Sequence, residues 1–241
     1  MARFKRPAHN EVVASLLLFD LEFLETSRCY FGGGTRIVLE LGEYRESRDI
    51  DFLCADVAGY RVLRETITQT SLGALAKPSL KLARDVRGDQ YGIRTVIEAT
   101  AHKIKFEIVR EARIALEGVR VARIPVACLT RKHCFAEKFL ANADRGLDAS
   151  TLSRDAVDLA FMIEGWGAHE AESGAALARE AYGDAIGREL KRVVTRLRSD
   201  KSYRARVVEG LAISDTRTLS AGLEALAKCA ASQEPRGTAE K

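Results

Sequence analysis

The chain has 241 residues, of which 46% are hydrophobic and 30% charged, a composition that supports a full core and excludes a disordered or fibrous chain. Its formal net charge of +4 is too mild to demand a nucleic-acid partner by itself. The longest apolar run, Ala14 to Phe19, has Ser15 inside it and is far too short to cross a bilayer.

Asn10 to Thr26 carries apolar residues at helical spacing, with Asn10 as the expected N-cap. Arg28 to Phe31 is a short run of strand formers that stops at three glycines, Gly32 to Gly34, before Thr35 opens a helical pattern through Leu41. After Gly42 the pattern alternates. Arg45, Ser47, Asp49 and Asp51 fall on one face and Ile50 and Phe52 on the other, which predicts a second strand. Ala58 to Thr70 reads as a helix, and Leu80 to Val86, Tyr91 to Ala99 and Lys103 to Arg110 read as a meander, followed by a last strand around Val119 to Ile124.

From Thr130 onward the patterns are helical: Thr130 to Ala143, Thr151 to Glu164, His169 to Tyr182, Ala185 to Leu197 and Leu219 to Ala231. The polar end, Gln233 to Lys241, is expected to be disordered. The fold class is therefore α+β, a short mixed sheet flanked by helices over residues 1–126 and a helical domain over 127–232, with a tail at 233–241.

The five cysteines are odd in number, scattered and without a CxxC pair, as expected of reduced thiols. Met1 to Asn10 is basic, but Asp20 and Glu22 interrupt the apolar stretch behind it and no small-residue cleavage site follows, so the expected location is cytoplasmic, with no membrane partner. His9, His102, His133 and His169 lack zinc spacing and an obvious nucleophile, and read as bystanders. Trp166 is expected to pack between helices.

The stretch Phe31 to Phe52, FGGGTRIVLELGEYRESRDIDF, carries the chemistry. Phosphoryl transfer is accelerated by positioning and charge stabilisation, which calls for carboxylates to hold a divalent cation and for amides or cations to hold a triphosphate. Two aspartates at i and i+2 of a strand project from one face roughly 7 Å apart, within reach of metals about 4 Å apart. Asp49 and Asp51 have that relation. Gly33 and Gly34 allow close backbone approach to phosphate, the helix opening near Thr35 aims its free amides there, Thr35 adds a hydroxyl, and Arg45 lies on the face of the aspartates.

This arrangement resembles the nucleotidyltransferase superfamily of DNA polymerase beta type, and the finer pattern, GGTxI followed by RxSxDIDF, resembles the AbiEii-type toxins of toxin–antitoxin and phage-defence systems. The resemblance covers roughly residues 28 to 165. It implies a third carboxylate on a neighbouring strand, for which Glu107 in HKIKFEIV is the candidate and Glu98 the rival. It also implies a lysine on a later helix, matched by Lys138 in AEKFLANADRG, and an Arg-Asp-x-x-Asp motif, matched by Arg154, Asp155 and Asp158 in SRDAVDL.

On that resemblance Asp49, Asp51 and Glu107 would bind Mg²⁺ or Mn²⁺, while Gly33, Gly34, Thr35, Arg45, Ser47, Lys138 and Arg154 would hold the nucleoside triphosphate. Asp155 or Asp158 would orient Lys138 or take the acceptor proton, so the helical domain would complete the site. An ordinary surface helix with Arg154 and Asp158 as an i,i+4 pair is the plain alternative. The expected reaction moves a nucleoside monophosphate to an acceptor hydroxyl on RNA, with the 3′ end of tRNA leading, and the expected protein partner is a cognate antitoxin. The alternatives are a small-molecule acceptor such as an aminoglycoside, a protein side chain, or a nucleotide- or RNA-binding module without turnover.

The basic residues Arg113, Arg120, Arg123, Arg131 and Lys132, followed by the run from Arg188 to Arg206, suit a phosphate backbone. Glu180, Asp184, Glu189 and Asp200 are interspersed with that run, and a solvated helix face explains it equally well.

Overall fold

In the computed structural model, which describes residues 4–232, helix α1 (Pro7–Leu16) begins at the proline, whose fixed φ and missing N–H suit a first helical turn. Asn10 is therefore inside the helix and is not its cap. Its side chain accepts from the Phe4 N–H at 2.8 Å and donates to the carbonyls of Phe4 and Arg6, tying the preceding segment down. The single helix expected to reach Thr26 is two, because Phe19 leaves the helix to bridge Ala76 and Asp20 then caps α2 (Leu21–Thr26) by accepting from the Phe23 N–H.

Strand β1 (Cys29–Phe31) runs into α3 (Gly33–Glu40), and β2 (Ile50–Cys54) into α4 (Val57–Thr66). The meander follows as β3 (Leu82–Gly88), β4 (Gly92–Glu98) and β5 (Lys103–Arg110). The strand expected over Val119 to Ile124 is replaced by two short ones, β6 (Gly118–Arg120) and β7 (Ala127–Leu129), separated by a turn in which Arg123 adopts φ +72°. Together they form a seven-stranded mixed sheet in the order β3-β4-β5-β2-β1-β7-β6. The strand expected from Arg45 starts only at Ile50, which leaves Asp49 just ahead of it. Glu43, Tyr44 and Arg45 are consecutively buried, a pattern that a one-sided strand cannot give.

Alternation along the strands sets the core. Phe31, Phe52 and Phe106 from three neighbouring strands point to one face, where Phe19 stacks on Phe106 at 4.9 Å and meets Phe52 at 5.9 Å. Helices α1, α2 and α4 cover this face through Val12, Leu16, Leu24, Tyr60 and Leu63. Truncating any one of these rings to alanine would cost on the order of 3–5 kcal/mol. The residues between them, Asp51 on β2 and Lys103, Lys105 and Glu107 on β5, project from the other face and keep access to solvent.

The chain divides into two units, Met1–Cys134 and Phe135–Lys241, and the division falls inside α5 (Arg131–Arg145). The second unit contains α6 (Arg154–Trp166), α7 (Ala168–Tyr182), α8 (Ala185–Ser199), α9 (Lys201–Gly210) and α10 (Thr216–Ser232). Helix α6 is its centre, buried without a break from Asp155 to Ile163. Helix α10 lies close against it because Gly222 has no side chain where a Cβ would collide with the Ala160 carbonyl. Trp166 meets Phe135 edge-on at 6.0 Å, within the helical packing expected of it. Helix α9 has no sequence expectation behind it, since only Tyr203 and Val207 of its ten residues are buried. Among the described residues no helix is long and apolar enough to cross a membrane. The tail expected at 233–241 lies outside the described residues.

Candidate functional site

The glycine turn after β1 is tied to β2 by a hydrogen bond from the Gly32 N–H to the Asp51 carbonyl, 2.8 Å. Gly33 adopts φ +66°, a region that L side chains avoid, and a Cβ there would collide with the Asp51 carboxylate. A Cβ on Gly34 would collide with the Arg45 guanidinium and come within 3.3 Å of Ser47 Oγ. Asp51 thus lies against one glycine and Arg45 against the next. Helix α3 starts here with no side chain capping it, which leaves its first amides available to an anion. Thr35, fully buried, shares a 2.9 Å hydroxyl contact with Ser47.

The loop that carries Arg45 and Ser47 is anchored from behind. The Lys5 and Arg6 N–H groups donate to the Glu43 carboxylate, and His9 Nδ1 lies 2.8 Å from Glu43 Oε1. The Ser47 N–H donates to His9 Nε2 at 3.3 Å. Since Nε2 accepts, the proton of a neutral ring belongs on Nδ1, where it donates to Glu43. Burial lowers the His9 pKa against the raising effect of Glu43. Burial raises that of Glu43, but the backbone donors and His9 outweigh it and hold the carboxyl below its ordinary value. His9 is no bystander; it is fully buried and holds the backbone of the candidate phosphate loop.

Asp51 and Glu107 are register partners on the parallel strands β2 and β5, so their side chains stand side by side on the open face at a strand spacing of about 4.8 Å. Arg94, the partner of Glu107 on β4, donates to it through Nε at 2.6 Å, and Lys105 Nζ lies 3.8 Å from its other oxygen. Glu98 is opposite Lys103 at the far end of β4, and Arg94, not Glu98, is the β4 neighbour of Glu107. Asp49 precedes β2 by one residue, in the loop.

Among the described residues no three Asp, Glu, His or Cys side chains converge into one metal-binding group. A hard cation of the magnesium type takes one or two protein carboxylates and completes its shell with phosphate oxygens and water. The neighbouring side chains of Asp51 and Glu107, with Asp49 just before the strand, fit that smaller requirement.

In the helical unit Lys138 Nζ donates to Asp155 Oδ1 at 2.8 Å and lies 2.7 Å from Asp158 Oδ2. Arg145 adds Nε and Nη2 contacts to Asp155 at 2.8 and 3.2 Å. Lys138, Asp155 and Asp158 are all buried. Burial would raise the Asp155 carboxyl, but Lys138 and Arg145 outweigh it and hold it far below the carboxylate range. Asp158 pairs with Lys138, in place of the surface i,i+4 pair with Arg154. Arg154 is half-buried at the start of α6 and takes no part in the cluster.

The structure therefore gathers Gly33, Gly34, Thr35, Arg45, Ser47, Asp51 and Glu107 in the first unit and Lys138, Asp155 and Asp158 in the second. Four residues escape the sequence reading. Arg145 follows Lys138 at i+7, a helical repeat visible in the sequence. Arg94 falls on the Glu98 side of the alternation in β4. The His9–Glu43 pair has no local signal, because its members lie on separate elements.

The protein-family model described as "Nucleotidyl transferase AbiEii toxin, Type IV TA system" matches residues 16–219. A crystal structure of a candidate nucleotidyltransferase from H. pylori superposes with a TM-score of 0.55 at 15% identity, over 94% of this chain and 96% of that one. The structure of JHP933 from Helicobacter pylori gives 0.51 at 15% identity, over 96% of both chains. These likenesses show the nucleotidyltransferase fold. No curated protein matches the sequence significantly.

Proposed function

Because the chain belongs to the AbiEii nucleotidyltransferase toxin family of type IV toxin–antitoxin systems, we propose that it transfers a nucleoside monophosphate from a nucleoside triphosphate to a hydroxyl of RNA, with the 3′ end of tRNA the leading acceptor. One observation carries the reading. The Gly33 backbone touches the Asp51 carboxylate at the open N-terminus of α3, beside Arg45, so anion-binding and cation-binding groups share one spot.

The α3 amides and Arg45 hold the triphosphate, and the Thr35 and Ser47 hydroxyls, bonded to each other, complete the cradle. Asp51 and Glu107, with Asp49 just ahead of the strand, would hold Mg²⁺ or Mn²⁺, and the chemistry such an ion would supply is neutralisation of phosphate charge and activation of the acceptor hydroxyl. The new bond joins the acceptor oxygen to the α-phosphorus, and the α–β bridge breaks to release pyrophosphate. Asp155, held ionised by Lys138 and Arg145, orients that lysine, a role that suits it better than general base. A cognate antitoxin protein is the proposed partner and the cytoplasm the proposed location.

Incubation with each α-labelled nucleoside triphosphate, a divalent cation and total tRNA tests the reading, with an Asp49→Asn, Asp51→Asn control. Label moving onto RNA with the wild type alone supports it. Nucleotide binding without transfer to RNA would redirect it to another acceptor or to a module without turnover.

A further inference from the structure

One cross-sheet row on the open face links four strands. Arg87 of β3 is the register partner of Arg94 on β4, Arg94 of Glu107 on β5, and Glu107 of Asp51 on β2. Two cations thus lead in line to two carboxylates over about 15 Å, three strand spacings. The neighbouring row holds Arg84, Val96 and Lys105, and Lys103 closes the patch opposite Glu98. Arg94 and Lys105 are engaged with Glu107, and Arg94 also lies 3.6 Å from Asp89. Arg84, Arg87 and Lys103 are exposed, and among the described residues no carboxylate comes within 4.0 Å of their charged nitrogens. Arg84 and Arg87 are therefore left over on this exposed face, and Lys103 is offset only by the exposed Glu98 across from it.

The sheet order decides what this surplus can serve. β2 has the glycine turn of β1 on one side and β5 on the other, so the triphosphate cradle and the cationic rows flank Asp51 from opposite sides. A polyanion that ends in a hydroxyl suits such a row, with its terminus at the carboxylates and its phosphates trailing along the cations.

We infer that the open face of β3, β4 and β5 is the docking surface for the phosphate backbone of the acceptor nucleic acid, held by Arg84, Arg87 and Lys103. This rests on RNA being the acceptor. Contact is made to phosphates and not to bases, so it fixes orientation without reading sequence.

The test is the triple variant Arg84→Gln, Arg87→Gln, Lys103→Gln beside the wild type, with tRNA binding measured by electrophoretic mobility shift over a range of salt, nucleotide binding by a fluorescent triphosphate analogue, and folding by circular dichroism. Losing three phosphate contacts should lessen the slope of log K against log salt by about 2 to 3. Affinity for RNA should fall at least tenfold near physiological salt, with nucleotide binding within twofold. An unchanged slope and RNA affinity overturns the docking surface, as does a wild type that binds no RNA. Loss of binding to polyglutamate with RNA binding intact overturns it in favour of an acidic protein. If the wild type binds RNA on this face yet transfers nothing to it, the acceptor reading fails while the surface stands. Should the triple variant misfold, the three single variants, each expected to lower the slope by somewhat under 1, replace it.

Discussion

His9 Nδ1 lies 2.8 Å from Glu43 Oε1 in a site where both side chains are buried, and the same imidazole accepts the Ser47 N–H. The folded-state pKa of His9 is below the ordinary 6.5, so as pH falls the unfolded chain binds this proton first. The stability tied to the neutral ring is intact above 6.5 and is lost as pH falls from there through the lower folded value. Arg6, Glu43 and Glu46 face the ring and set its field. Glu43, also lowered, adds a second loss below 4.5. Urea midpoints measured from pH 8 to pH 4 should decline in those two stages. His9→Ala, which leaves the Glu43 carboxylate short of a donor, should cost about 1–3 kcal/mol and erase the first stage. A wild-type profile flat between pH 7 and pH 5 would count against a neutral ring.

Gly33 and Gly34 are neighbours with different reasons to be glycine. Gly33→Ala incurs the left-handed penalty of about 1–2 kcal/mol and drives a methyl into Asp51. Gly34→Ala meets the end of a flexible arginine and should be milder for stability, yet it pushes Arg45 out of place. The expected outcome is a lower melting temperature for Gly33→Ala and weaker triphosphate binding for both, read by calorimetry and nucleotide titration. Equal melting temperatures for the two would contradict the conformational difference.

Asp51→Asn should fold normally, because taking a charge from adjacent carboxylates relieves repulsion. Its transfer rate should fall by on the order of 100-fold or more. Glu107→Gln removes the ion pair with Arg94 as well, and should lose activity without losing stability beyond about 1 kcal/mol, since that pair is partly exposed. Single-turnover transfer with each variant, beside a thermal melt, separates the two effects.

Lys138→Met leaves Asp155 and Asp158 buried without their shared cation and is expected to cost about 3–5 kcal/mol. Arg145→Gln removes a partner that solvent reaches, and should cost less than about 1 kcal/mol. Denaturant titration of both decides. A mild Lys138→Met would mean that one of the aspartates takes up a proton in response, which a stability gain at lower pH would reveal.

The turn, the carboxylate face and the meander were legible because each rests on a local signal: three glycines, alternation, and strand formers between turns. The alternation around Asp49 misled for a physical reason. Tyr44 and Arg45 are buried together because Glu43 is drawn onto the Lys5 and Arg6 amides and His9, a long-range tie without trace in the periodicity. Lys138, Asp155 and Asp158 came from family likeness, and only the structure shows them as one buried ionic cluster. Helix α9 was missed because its ten residues bury little and carry no apolar stripe.

The strand order has a kinetic consequence. β5 pairs in parallel with β2, and β1, β2 and α4 all precede the meander, so Asp51 meets Glu107 only after a distant strand has inserted between β4 and β2. Pairings of such long sequence separation lose their loop entropy before the contacts that offset it form, and so form slowly. A growing chain that stops short of β5 holds the glycine turn and one aspartate pair, but not the rung that joins Asp51 to Glu107. That rung would be completed only once synthesis has passed β5.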